Sequence, residues 1–173
     1  MAAAATLLAL SHAADATAWQ WAVSHLMLAI VLPTAYVIAL RLRGRVTDIQ
    51  LPERDQRLRP YLFAIVCMAC SAALMHLGRA PRPLQSVALA GSAQFALMLL
   101  ITLRWKISAH SASVGSLFAI AHGLLGTFAL PLGMLIPLVG WSRVYLRRHD
   151  VLQVVAGGLL GVIVTLMVFA WLR

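Results

Sequence analysis

Residues 151–172 read VLQVVAGGLLGVIVTLMVFAWL and contain no Lys, Arg, Asp or Glu. About 20 consecutive apolar residues are enough for a helix to cross the hydrocarbon core of a bilayer, so this stretch predicts a transmembrane helix. The whole chain of 173 residues is 62% hydrophobic and only 11% charged, whereas soluble domains are about 25% charged. The sequence therefore predicts an all-α integral membrane protein.

Apolar runs between charged breaks predict five further spans, and the chain becomes one domain, a bundle of six transmembrane helices. The fourth and fifth spans are separated only by a turn that contains Pro131 and Gly133. Residues 1–16 are apolar and Ala-rich, as in a leader, but they carry no Lys or Arg, so we interpret them as a surface or leader-like segment ahead of the first span rather than as a signal peptide. The five further spans are residues 19–40, 61–77, 84–103, 111–130 and 132–146.

Small residues recur at four-residue spacing in two of the spans, as Gly157 with Gly161 and Ala119 with Gly123. Such pairs let helix backbones approach each other closely within a membrane. We therefore predict that the last span and the fourth pack tightly against other helices.

The basic residues lie mostly in the first, third and fifth connections, which a six-span bundle places on one side of the membrane. By the positive-inside rule this face is cytoplasmic, in an inner (plasma) membrane protein. The net charge of +9 does not predict nucleic-acid binding, because the cations alternate with apolar spans. Eleven of the fourteen Lys and Arg residues belong to this face: Arg41, Arg43, Arg45, Arg54, Arg57, Arg59, Arg104, Lys106, Arg143, Arg147 and Arg148.

Two of these connections pair a cation with a histidine at a membrane boundary, where ionisable side chains are costly and tend to mark functional sites. Lys106 precedes His110, and Arg143 precedes His149. Cations that bind phosphate oxygens, together with one histidine as nucleophile and another as general acid, suit phosphoryl transfer. No carboxylate cluster could hold magnesium, so no metal or cofactor is predicted. None of the remaining histidines has both a cation and a hydroxyl at matching offsets, and we interpret them as structural: His12, His25, His76 and His122.

The strongest pattern is Ser142-Arg143, five residues, His149, and then the run VVAGGLLG at 154–161. It resembles the third motif and last helix of the type-2 phosphatidic acid phosphatase superfamily, the lipid phosphate phosphatases that share a fold with vanadium haloperoxidases. The resemblance covers approximately residues 50–170. It implies that His149 is the nucleophile and that Arg143 binds phosphate.

The family's second motif, Pro-Ser-Gly-His, is replaced here by Ile107-Ser108-Ala109-His110. By the resemblance, His110 would be the general acid and Ser108 a phosphate ligand. Lys106 would lie on the same helical face as His110 and supply a further cation.

The first motif, Lys, six residues, Arg-Pro, is represented only by Arg59-Pro60, because Pro52 stands at its lysine position. Arg54, Arg57 and Arg59 are the candidates to bind phosphate in its place. A basic loop that faces anionic lipid headgroups is the alternative interpretation.

The family has an aspartate four residues after the nucleophile, and here that position is Gln153. A neutral amide would orient His149 without stabilising its charge, and Asp150 is expected to point elsewhere if the last helix starts at that residue. We therefore expect weaker activity than in the family, and expect Gln153→Asp to raise turnover.

These residues predict a membrane enzyme that hydrolyses a lipid phosphate or diphosphate, preferably of isoprenoid or polyprenyl type, with phosphatidate as the other substrate class. Its partners would be that lipid and the bilayer, and the sequence does not specify an oligomeric state. Two alternatives stay open. The chain could be a degenerate relative that binds or carries lipid phosphates without turnover, or a structural membrane protein whose basic loops only set topology.

Overall fold

The computed structural model describes residues 2–13, 17–48 and 55–172, which form helices and connections and no strand. Five helical segments in these ranges are long and apolar enough to cross a membrane. The prediction of an all-α, multi-pass membrane protein is confirmed. The six predicted spans correspond to only five such segments, because the predicted fourth and fifth spans both lie within Ala109–Tyr145. The five segments are Ala18–Leu42, Leu58–Leu77, Arg82–Thr102, Ala109–Tyr145 and Val151–Trp171.

We number the helices in chain order, and α2 contains a π-helical stretch at Met27–Val31 while α3 follows a 3-10 turn at Asp55–Arg57. The segment Ala109–Tyr145 consists of two helices joined by a 3-10 stretch, Gly126–Met134. The helices are α1 Ala2–Ser11, α2 Ala18–Leu42, α3 Leu58–Leu77, α4 Arg82–Thr102, α5 Ala109–Leu125, α6 Leu135–Tyr145 and α7 Val151–Trp171.

The hairpin between the predicted fourth and fifth spans begins earlier and extends further than the sequence suggested. The chain leaves α5 at Gly126, whose φ of +62° favours glycine. Pro131 lies inside the 3-10 stretch that follows, and Gly133 lies against Phe118 of α5. Helix α6 therefore folds back along α5. Its 11 residues extend only about 16 Å, so α6 alone is too short to span a bilayer.

Helices α5 and α7 pack backbone against backbone at glycine, which confirms the predicted tight packing of these two spans. A Cβ atom at Gly157 would lie 2.5 Å from the Ser108 carbonyl oxygen, and one at Gly161 would overlap the Ala112 carbonyl oxygen. Gly123 similarly faces the ring of Phe169. Because lipid supplies no hydrophobic force between helices, such backbone contact is a main source of association.

Buried polar side chains link the same helices at the middle of the bundle. The Ser116 hydroxyl of α5 donates to the Gln94 side-chain oxygen of α4, and the Thr165 hydroxyl of α7 donates to Ser116 at 3.0 Å. Gln94 and Thr165 are almost completely buried. These hydrogen bonds satisfy polar groups that lipid could not.

The N-terminal helix α1, which we expected to be a surface or leader-like segment, packs one face against the bundle and leaves Leu7 exposed. Ala5, Thr6 and Ala9 are buried and contact α2, α4 and α5. The small alanine side chains allow α1 to approach these longer helices closely, and the Thr6 hydroxyl donates to the Ala2 carbonyl.

We predict that Gly161→Ala will lower the thermal stability of the detergent-solubilised protein by several degrees, because the added methyl group overlaps the Ala112 carbonyl. Gly158→Ala is the matched control on the same helix, since its Cβ would meet only the Ile136 side chain at 3.3 Å. Melting curves that show equal losses for the two variants would contradict the assigned contact.

Candidate active site

The connection before α5 and the start of α7 are joined by backbone. The Ser108 N–H donates to the Gln153 carbonyl at 3.2 Å. Ser108 also caps α5, because its hydroxyl oxygen accepts from the Ser111 N–H and from the Ser111 hydroxyl. The third and fifth connections therefore meet at one end of the bundle.

A Schellman-type turn after α6 returns His149 to Arg143. Arg147 has a φ of +52°, a left-handed conformation that is uncommon for a residue other than glycine. The Arg148 N–H donates to the Arg143 carbonyl at 3.0 Å, and the His149 N–H approaches the same oxygen at 3.4 Å. This turn fixes His149 beside the end of α6 that carries Arg143.

The His149 imidazole is held by a chain of hydrogen bonds that ends on a carboxylate. Its Nδ1 lies 2.9 Å from Gln153 Oε1, and Gln153 Nε2 donates to Asp150 Oδ2 at 2.8 Å. Asp150 is also the N-cap of α7, because its Oδ1 accepts from the Gln153 N–H at 2.8 Å. The expectation that Asp150 would point elsewhere is wrong, since the cap turns its carboxylate toward Gln153.

Two cations from different connections act on His149. Burial lowers the pKa of the His149 imidazole below its ordinary value, the Gln153 hydrogen bond raises it, and the charges of Lys106 and Arg57 lower it further. The proton is therefore bound less tightly than by free histidine, which leaves the imidazole neutral and nucleophilic near pH 7.

Arg57 is the first-connection arginine that the structure brings to the site. Only 6% of its surface is exposed. The neighbouring Gln56 accepts from the Thr47 N–H at 2.9 Å, which ties this segment to the end of α2. Arg59 is exposed on the surface, and Arg54 lies outside the described residues.

Arg143 and His110 line one open pocket with a volume of about 490 Å³. Its other walls are mainly apolar and include Ile30, Val114 and Val139. The Arg143 Nε is buried and makes no hydrogen bond within the described part of the chain. A buried donor of this kind requires an acceptor, and an anion in the pocket would supply one.

The predicted site residues thus separate into those that converge and those that do not. Ser108 has no exposed surface and its hydroxyl oxygen is used as a cap, so it supports the connection rather than facing the pocket. Asp150 is the residue that sequence reasoning dismissed. The spacing of Asp150 and Gln153 matches a capping box, and that pattern could have revealed the contact. The converging residues are Arg57, Lys106, His110, Arg143, His149 and Gln153.

The histidines that we interpreted as structural have hydrogen-bond partners within the chain. The partners are Leu8 for His12, Ser71 for His25, Gln85 for His76 and Gly126 for His122.

The described residues contain no group of three His, Cys, Asp or Glu side chains that could hold a metal ion.

Comparisons of the chain with protein-family models, with curated proteins and with solved structures found no match.

We predict that the His149 imidazole titrates below pH 6.5 in NMR spectra of the histidine-labelled protein, and that Arg57→Gln raises the midpoint by removing a nearby cation. Because the folded pKa is lowered, His149 adds stability above pH 6.5, and this contribution is lost as the pH falls through that value to the folded pKa.

Arg57→Lys keeps the charge and should keep the low midpoint, which separates charge from packing. Arg59→Gln is the matched control, since this exposed arginine is two residues away and should leave the titration unchanged. An unchanged midpoint in Arg57→Gln would rule out the assigned electrostatic contact.

Proposed function

We propose that this protein is a membrane lipid phosphatase that hydrolyses a lipid phosphate or diphosphate through a covalent phosphohistidine, without a metal ion. The observation that supports it best is the convergence on His149. A hydrogen-bonded imidazole lies within electrostatic range of Lys106, Arg57 and His110 at one end of a transmembrane bundle. The resemblance of Ser142-Arg143, His149 and residues 154–161 to lipid phosphate phosphatases points to the same chemistry.

The first half of the reaction transfers the phosphoryl group to the protein. The Nε2 lone pair of His149 attacks phosphorus while the bond from phosphorus to the ester oxygen breaks. The departing oxygen takes a proton from His110, and the guanidinium groups of Arg143 and Arg57 with the Lys106 ammonium bind the other oxygens.

The second half restores the protein. His110, now neutral, accepts a proton from a water molecule whose oxygen attacks phosphorus. The bond between phosphorus and Nε2 breaks, which frees inorganic phosphate and neutral His149. For a diphosphate substrate the same steps release phosphate and leave a monophosphate.

The pocket has a polar end and an apolar wall, which match the polar headgroup and the apolar tail of a lipid phosphate. Arg143 and His110 supply its polar end, while Ile30, Val114 and Val139 supply an apolar wall between α2, α5 and α6. We infer that the phosphate binds at the polar end and the lipid tail lies along that wall. Isoprenoid and polyprenyl phosphates are the preferred class by analogy with small bacterial lipid phosphatases.

We predict that the detergent-purified protein releases phosphate from farnesyl diphosphate, undecaprenyl phosphate or phosphatidate. His149→Ala should reduce release by about 10³-fold or more, because the nucleophile is lost. EDTA should have no effect, and His122→Ala, at the opposite end of α5, serves as the matched histidine control.

Release that survives His149→Ala, or that EDTA abolishes, would refute the mechanism. If no lipid is hydrolysed but undecaprenyl phosphate still binds, and binding weakens in Arg143→Gln, the chain is the degenerate binding protein instead.

The face that carries this site is cytoplasmic in our proposal, because most of the basic residues belong to it. In a Cys67→Ala, Cys70→Ala background, Arg148→Cys should resist an impermeant thiol reagent in intact cells. Leu77→Cys, at the other end of the bundle, should react. The reverse pattern would place the site outside.

A further inference from the structure

We propose that Asp150 is a positioning residue that acts on His149 through the Gln153 amide, so that Asp150, Gln153 and His149 form one relay. This inference rests on the proposed function for its catalytic meaning. Its structural basis is independent and consists of two hydrogen bonds in series: His149 Nδ1 to Gln153 Oε1 at 2.9 Å, and Gln153 Nε2 to Asp150 Oδ2 at 2.8 Å.

The carboxylate determines which way the Gln153 amide points. An ionised carboxylate can only accept hydrogen bonds, so the NH₂ group of Gln153 must face Asp150 and its oxygen must face His149. The imidazole nitrogen opposite that oxygen must then carry the proton. Nδ1 is therefore N–H, and Nε2 keeps the lone pair that a nucleophile needs.

The N-cap position of Asp150 at the start of α7 holds its carboxylate where it orients the Gln153 amide. Asp150 Oδ1 accepts from the Gln153 N–H at 2.8 Å while Oδ2 accepts from the side chain of the same residue. Both oxygens are therefore committed to one residue, and the helix start itself fixes the geometry. An aspartate at position 153 would place a negative charge directly beside His149. Asp150 supplies that charge through the intervening Gln153 amide.

The relay matters most after phosphoryl transfer. When Nε2 bonds to phosphorus, its lone pair forms that bond and the imidazole, still protonated at Nδ1, becomes cationic. The groups that face His149 from the first and third connections and from α5 are Arg57, Lys106 and His110, two of which are cations. The polarised Gln153 amide and Asp150 offset that positive field from the side away from the substrate.

The first test is the NMR titration of His149, whose signals are assigned by their loss in His149→Gln. This titration reports on the relay whether or not the protein has phosphatase activity. Asp150→Asn keeps a good N-cap and so keeps the fold, but it removes the charge. The His149 midpoint should fall by about half a pH unit, as expected for the loss of an anion that is linked to the imidazole through one intervening amide. Arg148→Gln, an exposed charge change in the same loop, should leave it unchanged.

The second test is kinetic. Asp150→Asn should lower kcat/KM for phosphate release about tenfold and shift its acid limb downward, with an unaltered melting temperature. In the Asp150→Asn background, Gln153→Asp places a carboxylate directly against His149 and should restore much of the rate. With Asp150 present, the same Gln153→Asp change brings two carboxylates together, so the gain expected from sequence alone should be smaller there.

The outcomes separate the relay from the phosphatase. An active wild-type protein whose titration and kcat/KM are both unchanged by Asp150→Asn overturns the relay and leaves the phosphatase standing. A shifted titration in a protein that hydrolyses none of the lipids supports the relay and overturns the phosphatase. A loss of rate with no shift in the titration or acid limb would assign Asp150 to helix capping alone and overturn the relay.

Discussion

The close backbone contact between α5 and α7 is the constraint on which the site depends. Gly157 leaves room for the Ser108 carbonyl, which lies at the position where α5 begins. The two helices therefore start side by side, with their capping residues Ser108 and Asp150 at the same end of the bundle. Because the N-terminus of a helix carries partial positive charge, this packing brings two such N-termini together at the end of the bundle that carries His110 and His149.

Electrostatics at this end of the bundle favour an anion. Lys106 and Arg57 act on His149, and Arg143 holds a buried Nε that makes no hydrogen bond among the described residues. Cations that approach one another in a partly buried place repel and lose solvation. A phosphate group would relieve both costs at once, which is the physical reason why we interpret the cluster as a substrate site rather than as a determinant of topology.

The role inferred for Gln153 changes once its hydrogen bond to Asp150 is taken into account. Taken alone, a neutral amide beside a nucleophilic histidine suggests a weakened enzyme. With its NH₂ group on the Asp150 carboxylate, the same amide becomes an oriented link between a charge and an imidazole. Gln153 stands where the family that this chain resembles has an aspartate. Asp150, three residues earlier, supplies the missing carboxylate.

The sequence by itself determined the membrane class, the approximate bounds of the first three spans and of the last one, the glycine contact of the last helix and the nearness of His110 to His149. These follow from apolar run length, residue size and spacing, which are local properties of the chain. Only the tertiary structure decided that Arg57, rather than Arg59, acts electrostatically on His149, that Ser108 is buried as a cap, and that one face of α1 packs against the bundle. It also turned Asp150 toward Gln153. The reason is that burial and side-chain hydrogen bonding depend on which distant segments come together, and neither periodicity nor charge spacing encodes that choice directly.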